Sequence, residues 1–280
     1  MAAYSEQELP LEVKLQAHLM EVESAFEASS ETGVNKFIDI INELTHGENS
    51  DPELAAQIAE KIADKEYAVP EELQNQFKAK IGEGLLYGGN IDNERFERSA
   101  EFYDSVRKRT AEKLPQNIND IPEDERPVEL GENFHSIDRL ADLAFLSGNF
   151  EDAKNAYQHA FEARGKFKEI EKGPSACAKY GEAASAFMQG EIQTCLELIA
   201  DAKNLLSGLE DNESILYPNI EKLEAAAMAF DGLDETEKPT RLEAIKESLG
   251  RNGGKQGGVK RINFEELYDE AGLTEPNPES

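Results

Sequence analysis

The sequence predicts an all-α fold built from repeated helix-turn-helix units, and three observations support that prediction. Glycine recurs at a spacing of 42 residues, broken once by a spacing of 59, at Gly47, Gly89, Gly148, Gly190 and Gly232. Apolar residues on either side of each glycine recur at steps of three and four, which is the period of an amphipathic helix. Segments that alternate apolar and polar residues, as strands do, are nearly absent. Each glycine therefore marks a predicted turn between two helices.

The first half of the chain is expected to hold an N-terminal helix followed by helix pairs. Within residues 1–33, four apolar residues at steps of four, three and four define one helix face: Leu15, Leu19, Val22 and Phe26. Residues 34–113 are expected to form imperfect helix pairs. One helix start is explicit there, because Asp51 is a favoured N-cap and Pro52 suits the first helical position.

The second half begins with an acidic segment that contains three prolines, at residues 114–131. We expect a loop there, because proline inside a helix removes a backbone donor and clashes with the preceding turn. Regular helix pairs are expected over residues 132–249. A Gly-rich linker is expected at 250–261, followed by an amphipathic helix at 262–273 and a disordered tail at 274–280.

One unit carries a small residue in its first helix, a turn glycine, an aromatic two residues later, and then a small-aromatic-small pattern in its second helix. These residues are Ala141, Gly148, Phe150, Ala153, Tyr157 and Ala160. The pattern resembles the tetratricopeptide repeat (TPR), and the longer period is similar to that of kinesin light chain repeats. The resemblance implies a right-handed α-solenoid of TPR-like antiparallel helix pairs. HEAT and armadillo arrays, with periods of about 40–47 residues, are the alternative solenoids.

The TPR resemblance also implies that the first helices of the pairs line a concave groove, which binds a protein segment. The positions implied to be exposed in this groove include Asp138, Asp142, Phe145, Tyr180, Phe187 and Lys222. Packing between repeats is the alternative role for Phe145 and Phe187.

The C-terminal helix is a second candidate site. Asn263 and Glu266 have the spacing of a capping box, and Phe264, Leu267 and Tyr268 lie on one side of the expected helix. We expect this helix either to cap the last helix pair or to fold back into the groove.

Charge and composition narrow the classes of partner. The chain has 58 acidic and 29 basic residues, a formal net charge of −29. Such a surface repels phosphate groups, so we expect neither nucleic acid nor a membrane as partner. A protein or peptide partner that carries basic residues is the expectation. Cys177 and Cys195 fall at apolar helical positions and the chain begins without a signal-peptide pattern, which together predict a cytoplasmic protein.

Sequence motifs of nucleotide binding, nucleophilic catalysis and zinc proteolysis are absent, so we expect neither an enzyme nor a cofactor or metal site. The expected function is that of a protein-interaction scaffold or adaptor, present as a monomer or weak homodimer, which binds a peptide or helix of its partner. The alternative is a regulatory subunit or sensor whose groove is occupied by its own C-terminal helix.

Overall fold

The computed structural model describes residues 9–47, 50–87, 93–113, 126–165, 172–207, 216–252, 259, 262–264 and 267 of the 280-residue chain. Over these residues all regular secondary structure is helical, which confirms the predicted all-α class. None of the helices in this part of the chain combines the length and apolar character that crossing a membrane requires. The chain divides into two compact units, Met1–Lys113 and Leu114–Ser280.

Unit 1 is a series of helices in which each one packs against the next. The helices are α1 (Leu11–Ala28), α2 (Ser30–His46), α3 (Pro52–Ala63), α4 (Gln74–Leu86) and α5 (Asn93–Lys113), with a 3-10 turn at Glu71–Leu73. Helix α2 begins four residues earlier than predicted. The reason is Ser29, whose hydroxyl oxygen accepts a hydrogen bond from the Thr32 backbone N–H at 3.1 Å and so caps α2 directly after α1.

Two local features of unit 1 follow from single residues. The predicted start of α3 is confirmed, because Asp51 Oδ1 accepts a hydrogen bond from the Leu54 backbone N–H at 3.2 Å and Pro52 occupies the first turn. Helices α4 and α5 approach closely at Gly82, where an added Cβ would lie 2.9 Å from the ring of Tyr103. A small residue on one helix thus makes room for an aromatic ring on the next.

Unit 2 contains six helices in its described part. They are α6 (Arg126–Leu146), α7 (Phe150–Gly165), α8 (Lys172–Met188), α9 (Ile192–Leu206), α10 (Leu216–Asp231) and α11 (Lys238–Asn252). Residues 126–131 belong to α6 rather than to the predicted loop, since Pro127 lies in the first turn, where its missing N–H is not needed. Residues 250–252 belong to α11 rather than to the predicted linker.

The predicted glycine turns take two forms. Gly148 and Gly190 adopt the left-handed conformation, with φ of +80° and +79°. In both turns the next N–H reaches the carbonyl five residues back, at 2.9 Å, which satisfies the orphaned helix end. Gly47 ends α2 with φ of −72°, and Gly232 follows α10 without a positive φ. Gly89 lies outside the described residues.

The helices of unit 2 pack in sequence from α6 to α10, whereas α11 packs against α8 more than against α10. The regular pairing expected over residues 132–249 therefore describes α6/α7 and α8/α9 but not the last pair. Helices α7 and α8 approach closely at Gly181, where an added Cβ would lie 2.5 Å from the Tyr157 ring. The right-handed solenoid and the TPR assignment stay predictions.

Candidate functional site

A short C-terminal segment lies against α6, α8 and α10 of unit 2. We call its described residues the tail segment: Val259, Ile262, Asn263, Phe264 and Leu267. Its four apolar side chains are at most 4% exposed, so the segment is buried rather than attached at one point. The residues that receive it form the tail-contact surface: Asp142, Tyr180, Phe187 and Lys222.

Four contacts fix the tail segment on this surface. The Val259 backbone N–H donates to Asp142 Oδ1 at 3.0 Å, which joins residues 117 positions apart in the chain. The ring centroid of Phe264 lies 6.4 Å from that of Tyr180 and 6.0 Å from that of Phe187, both in edge-to-face geometry. Lys222 Nζ donates to Asn263 Oδ1 at 3.3 Å.

The conformation of the tail segment follows from its own backbone. The Ile262 N–H donates to the Val259 carbonyl at 3.0 Å, which closes a tight turn. The Leu267 N–H then donates to the Asn263 carbonyl at 3.1 Å, as in the first turn of an α-helix. Phe264 and Leu267 are helical, so the helix expected from residue 262 begins after Asn263. Tyr268, the third residue expected on its apolar side, lies outside the described residues.

Asp142 is the polar centre of the site. Asp142 is 5% exposed, and its carboxylate accepts hydrogen bonds from three different parts of unit 2. Tyr157 Oη donates to Oδ1 at 2.6 Å and Arg139 donates to Oδ2 at 3.1 Å, in addition to the Val259 N–H. A buried carboxylate is stable only when it is paired and hydrogen-bonded in this way. Burial, followed by the charge of Asp142, raises the pKa of Tyr157 well above its ordinary value, so the phenol remains a donor.

The aromatic part of the site rests on α8. Tyr180 and Phe187 are seven residues apart, which places them on one face of the helix about 10 Å apart along its axis. Phe187 also packs edge-to-face against Phe230 of α10 at 5.8 Å. Phe264 of the tail segment therefore completes a cluster that already joins two helices.

Two of the predicted groove residues lie away from the tail segment. Phe145 is fully buried and packs edge-to-face against Phe150 of α7 at 5.2 Å, so its expected exposure is wrong and its contact is inter-helix packing. Asp138 is paired with Arg164 of α7, with Arg164 Nη1 at 2.9 Å from Oδ1. Loss of hydration raises the pKa of the Asp138 carboxyl, and the hydrogen bonds from Arg164 oppose that rise.

The expected exposure is also wrong for the groove residues that do meet the tail segment. Asp142, Tyr180 and Phe187 are buried, because helix packing and the tail segment cover them, and Lys222 is partly buried. Four of the six positions implied by the TPR resemblance thus contact the tail segment, and the other two, Asp138 and Phe145, pack against α7. Whether these residues bind a partner stays a prediction.

Several residues of the site have no clear sequence signal. Val259 and Arg139 stand in no recognisable motif, and Tyr157 is marked only as a packing residue of the TPR pattern. Asn263 is marked by its capping-box spacing, which indicates a helix start but not the contact with Lys222.

Other chemistry is limited in the part of the chain that the structure describes. No group of three or more His, Cys, Asp or Glu side chains is arranged there to hold a metal ion. Cys195 is buried, and burial raises the pKa of its thiol to about 12, so it is not poised as a nucleophile.

Comparisons of this chain with protein-family models, curated proteins and solved structures find no match.

Proposed function

We propose that unit 2 is a TPR-like binding domain for a short helical protein segment, and that the chain's own tail segment occupies its binding surface. The protein then acts as a regulated scaffold: a partner gains access when its segment displaces the tail segment. One observation carries the proposal. Four of the six residues that sequence reasoning assigned to partner binding contact an intramolecular segment from the far end of the chain: Asp142, Tyr180, Phe187 and Lys222.

The chemistry of the contact is that of peptide recognition. A buried side chain accepts a hydrogen bond from a backbone N–H of the tail segment. One aromatic ring of the segment packs against two rings of α8, and a side-chain amide accepts a hydrogen bond from a lysine. Main-chain hydrogen bonds give affinity and pockets for individual side chains give specificity in peptide-binding domains generally. The net charge of −29 favours partners that carry basic residues around such a segment.

The test is binding of the tail segment in trans. A fluorescently labelled peptide of residues 257–271 is titrated against the full-length protein and against full-length Phe264→Asp. A carboxylate does not replace a ring that is 1% exposed, so the variant releases its own tail. We expect saturable binding to the variant. We expect at least tenfold weaker apparent binding to the unchanged protein, because a tethered competitor acts at an effective concentration of about 1 mM.

Two controls accompany the titration. The same peptide with Phe264→Asp is expected not to bind, and circular dichroism verifies that the receptor variant is folded. Should Phe264→Asp fold poorly, Asn263→Lys releases the tail by placing two ammonium groups together at Lys222. If the labelled peptide binds neither protein, the tail segment is a permanent structural cap and the proposed function is wrong.

A further inference from the structure

We infer that the tail-contact surface selects its occupant by two features at a fixed separation. The first is an unblocked backbone N–H directed at Asp142, and the second is an aromatic ring five residues later, directed at Tyr180 and Phe187. The inference rests on the proposed function and specifies its partner: a segment of another protein with apolar residues at positions 1, 4 and 9 and an aromatic residue at position 6.

The first feature follows from the hydrogen bonds of Asp142. Its buried carboxylate accepts hydrogen bonds from Tyr157 and Arg139, which belong to the helices. It accepts a third from the Val259 N–H, which belongs to the occupant. A backbone N–H is common to all residues except proline, so this contact fixes the position of the chain without reading a side chain. An occupant that lacks the N–H leaves a buried carboxylate short of a donor.

The second feature follows from the geometry around Phe264. Its ring meets Tyr180 and Phe187 at interplanar angles of 86° in both pairs. Edge-to-face contacts depend on the quadrupole of an aromatic ring, which an aliphatic side chain does not supply. An aromatic residue is therefore selected over leucine at this position.

The separation is set by the conformation of the tail segment. A tight turn closed between Val259 and Ile262 is followed by a helical turn that begins after Asn263. One additional residue between these two turns moves the ring by about 3 Å and rotates it to another side of the segment. An occupant with the correct residues at the wrong spacing then satisfies only one of the two features.

The neighbouring positions refine the pattern. Val259, Ile262 and Leu267 are buried, which makes apolar side chains preferred at positions 1, 4 and 9. The Asn263 side-chain oxygen accepts a hydrogen bond from Lys222, so Asn is preferred at position 5. The pattern of the partner is thus apolar-x-x-apolar-Asn-aromatic-x-x-apolar.

The test measures labelled peptides of residues 257–271 against full-length Phe264→Asp as receptor. A Val259→Pro peptide removes the N–H and keeps an apolar ring, whereas Val259→Ile is its matched control. We expect Val259→Ile to bind within about threefold of the parent peptide and Val259→Pro at least tenfold more weakly, since hydrogen bonds to charged groups are the strong ones.

Two further peptides test the ring and the spacing. Phe264→Leu is expected to bind about two- to tenfold more weakly than the parent, from the lost edge-to-face contacts. A peptide with one glycine inserted after Ile262 is expected to bind at least tenfold more weakly. If the Pro peptide, the Leu peptide or the insertion peptide binds as tightly as the parent peptide, the two-feature rule is wrong. The proposed function is not affected by that result. Failure of the parent peptide itself to bind overturns both.

Discussion

Replacing Phe264 with alanine distinguishes two roles for the tail segment. The segment is either docked reversibly on the helices or an integral part of the fold. The four buried apolar side chains of the tail segment contribute about 6–12 kcal/mol on burial. Fixing the backbone of its five described residues costs about 5–10 kcal/mol. The gain and the cost are of similar size, so the net docking free energy is small, on the order of 2 kcal/mol or less.

Loss of a buried Phe side chain typically costs about 3–5 kcal/mol. Because this exceeds the net docking free energy, Phe264→Ala is expected to release the tail segment. Once the segment is free, the rest of the lost burial energy no longer destabilises the helices of unit 2. The free energy of unfolding of α8 is therefore expected to fall by no more than roughly 2 kcal/mol.

Phe230→Ala is the matched control for this prediction. Phe230 and Phe264 are both at most 2% exposed, and both contact the Phe187 ring, at 5.8 and 6.0 Å. Phe230 belongs to a long helix, so its replacement is expected to destabilise unit 2 by the full amount of about 3–5 kcal/mol. The same residue change in the same cluster then gives two different outcomes.

Hydrogen-exchange mass spectrometry measures both outcomes, because it reports the opening free energy of each segment separately. In Phe264→Ala, peptides that contain the tail segment are expected to lose protection while those of α8 retain most of theirs. In Phe230→Ala, peptides of α8 are expected to exchange about 10²–10⁴-fold faster. If Phe264→Ala accelerates exchange in α8 as much as Phe230→Ala does, the tail segment is an integral part of the core and the reasoning is refuted.

Three further predictions concern single residues of unit 2. Gly181→Ala is expected to destabilise the protein by about 1–3 kcal/mol in urea denaturation, since its Cβ would lie 2.5 Å from the Tyr157 ring. Gly250→Ala, a helical position with open space, is its control and is expected to stabilise by about 0.5–1 kcal/mol. At Gly148 an added Cβ would have no atom within 4 Å. Gly148→Ala is therefore expected to destabilise the protein by about 1–2 kcal/mol through the left-handed backbone alone, and this destabilisation disappears if φ relaxes. The Cys195 thiol, with its pKa raised by burial from 9.0 to about 12, is expected to resist iodoacetamide at pH 8 until the protein unfolds. Its contribution to stability is complete below pH 9 and is lost as the pH rises toward 12, and rapid alkylation of the folded protein contradicts this prediction.

Local features of the fold were predictable from the sequence because each depends on neighbouring residues. The Asp51-Pro52 start of α3 and the turns at Gly148 and Gly190 need only a cap or a left-handed residue. Pro127 was misassigned because proline is compatible with the first turn of a helix as well as with a loop. The contact of α11 with α8 joins helices that are not neighbours in the chain, so no local pattern indicates it.

Sequence reasoning named four residues that contact the tail segment, but it expected them to be exposed. Helical periodicity places Tyr180 and Phe187 on one face of α8, and a register based on the TPR pattern adds Asp142 and Lys222 from the adjacent helices. The pattern does not contain the segment that covers them, because the contact between Val259 and Asp142 spans 117 residues. Contacts at such separation depend on the folded chain as a whole.

In the proposed exchange of the tail segment for a partner, Asp142 is expected to favour direct replacement. When the Val259 N–H leaves, a buried carboxylate loses a donor, which costs about 1–3 kcal/mol unless water or another donor replaces it. A tail-contact surface without an occupant therefore carries two free-energy costs. One is the donor that Asp142 lacks, and the other is the loss of apolar burial. A partner that supplies its own N–H as the tail segment departs avoids this cost. Exchange in which the partner directly replaces the tail segment is thus expected to be faster than exchange in which the tail segment leaves first. The rate at which the tail segment is released should therefore increase with partner concentration. A release rate that is independent of partner concentration would show instead that the empty surface forms first.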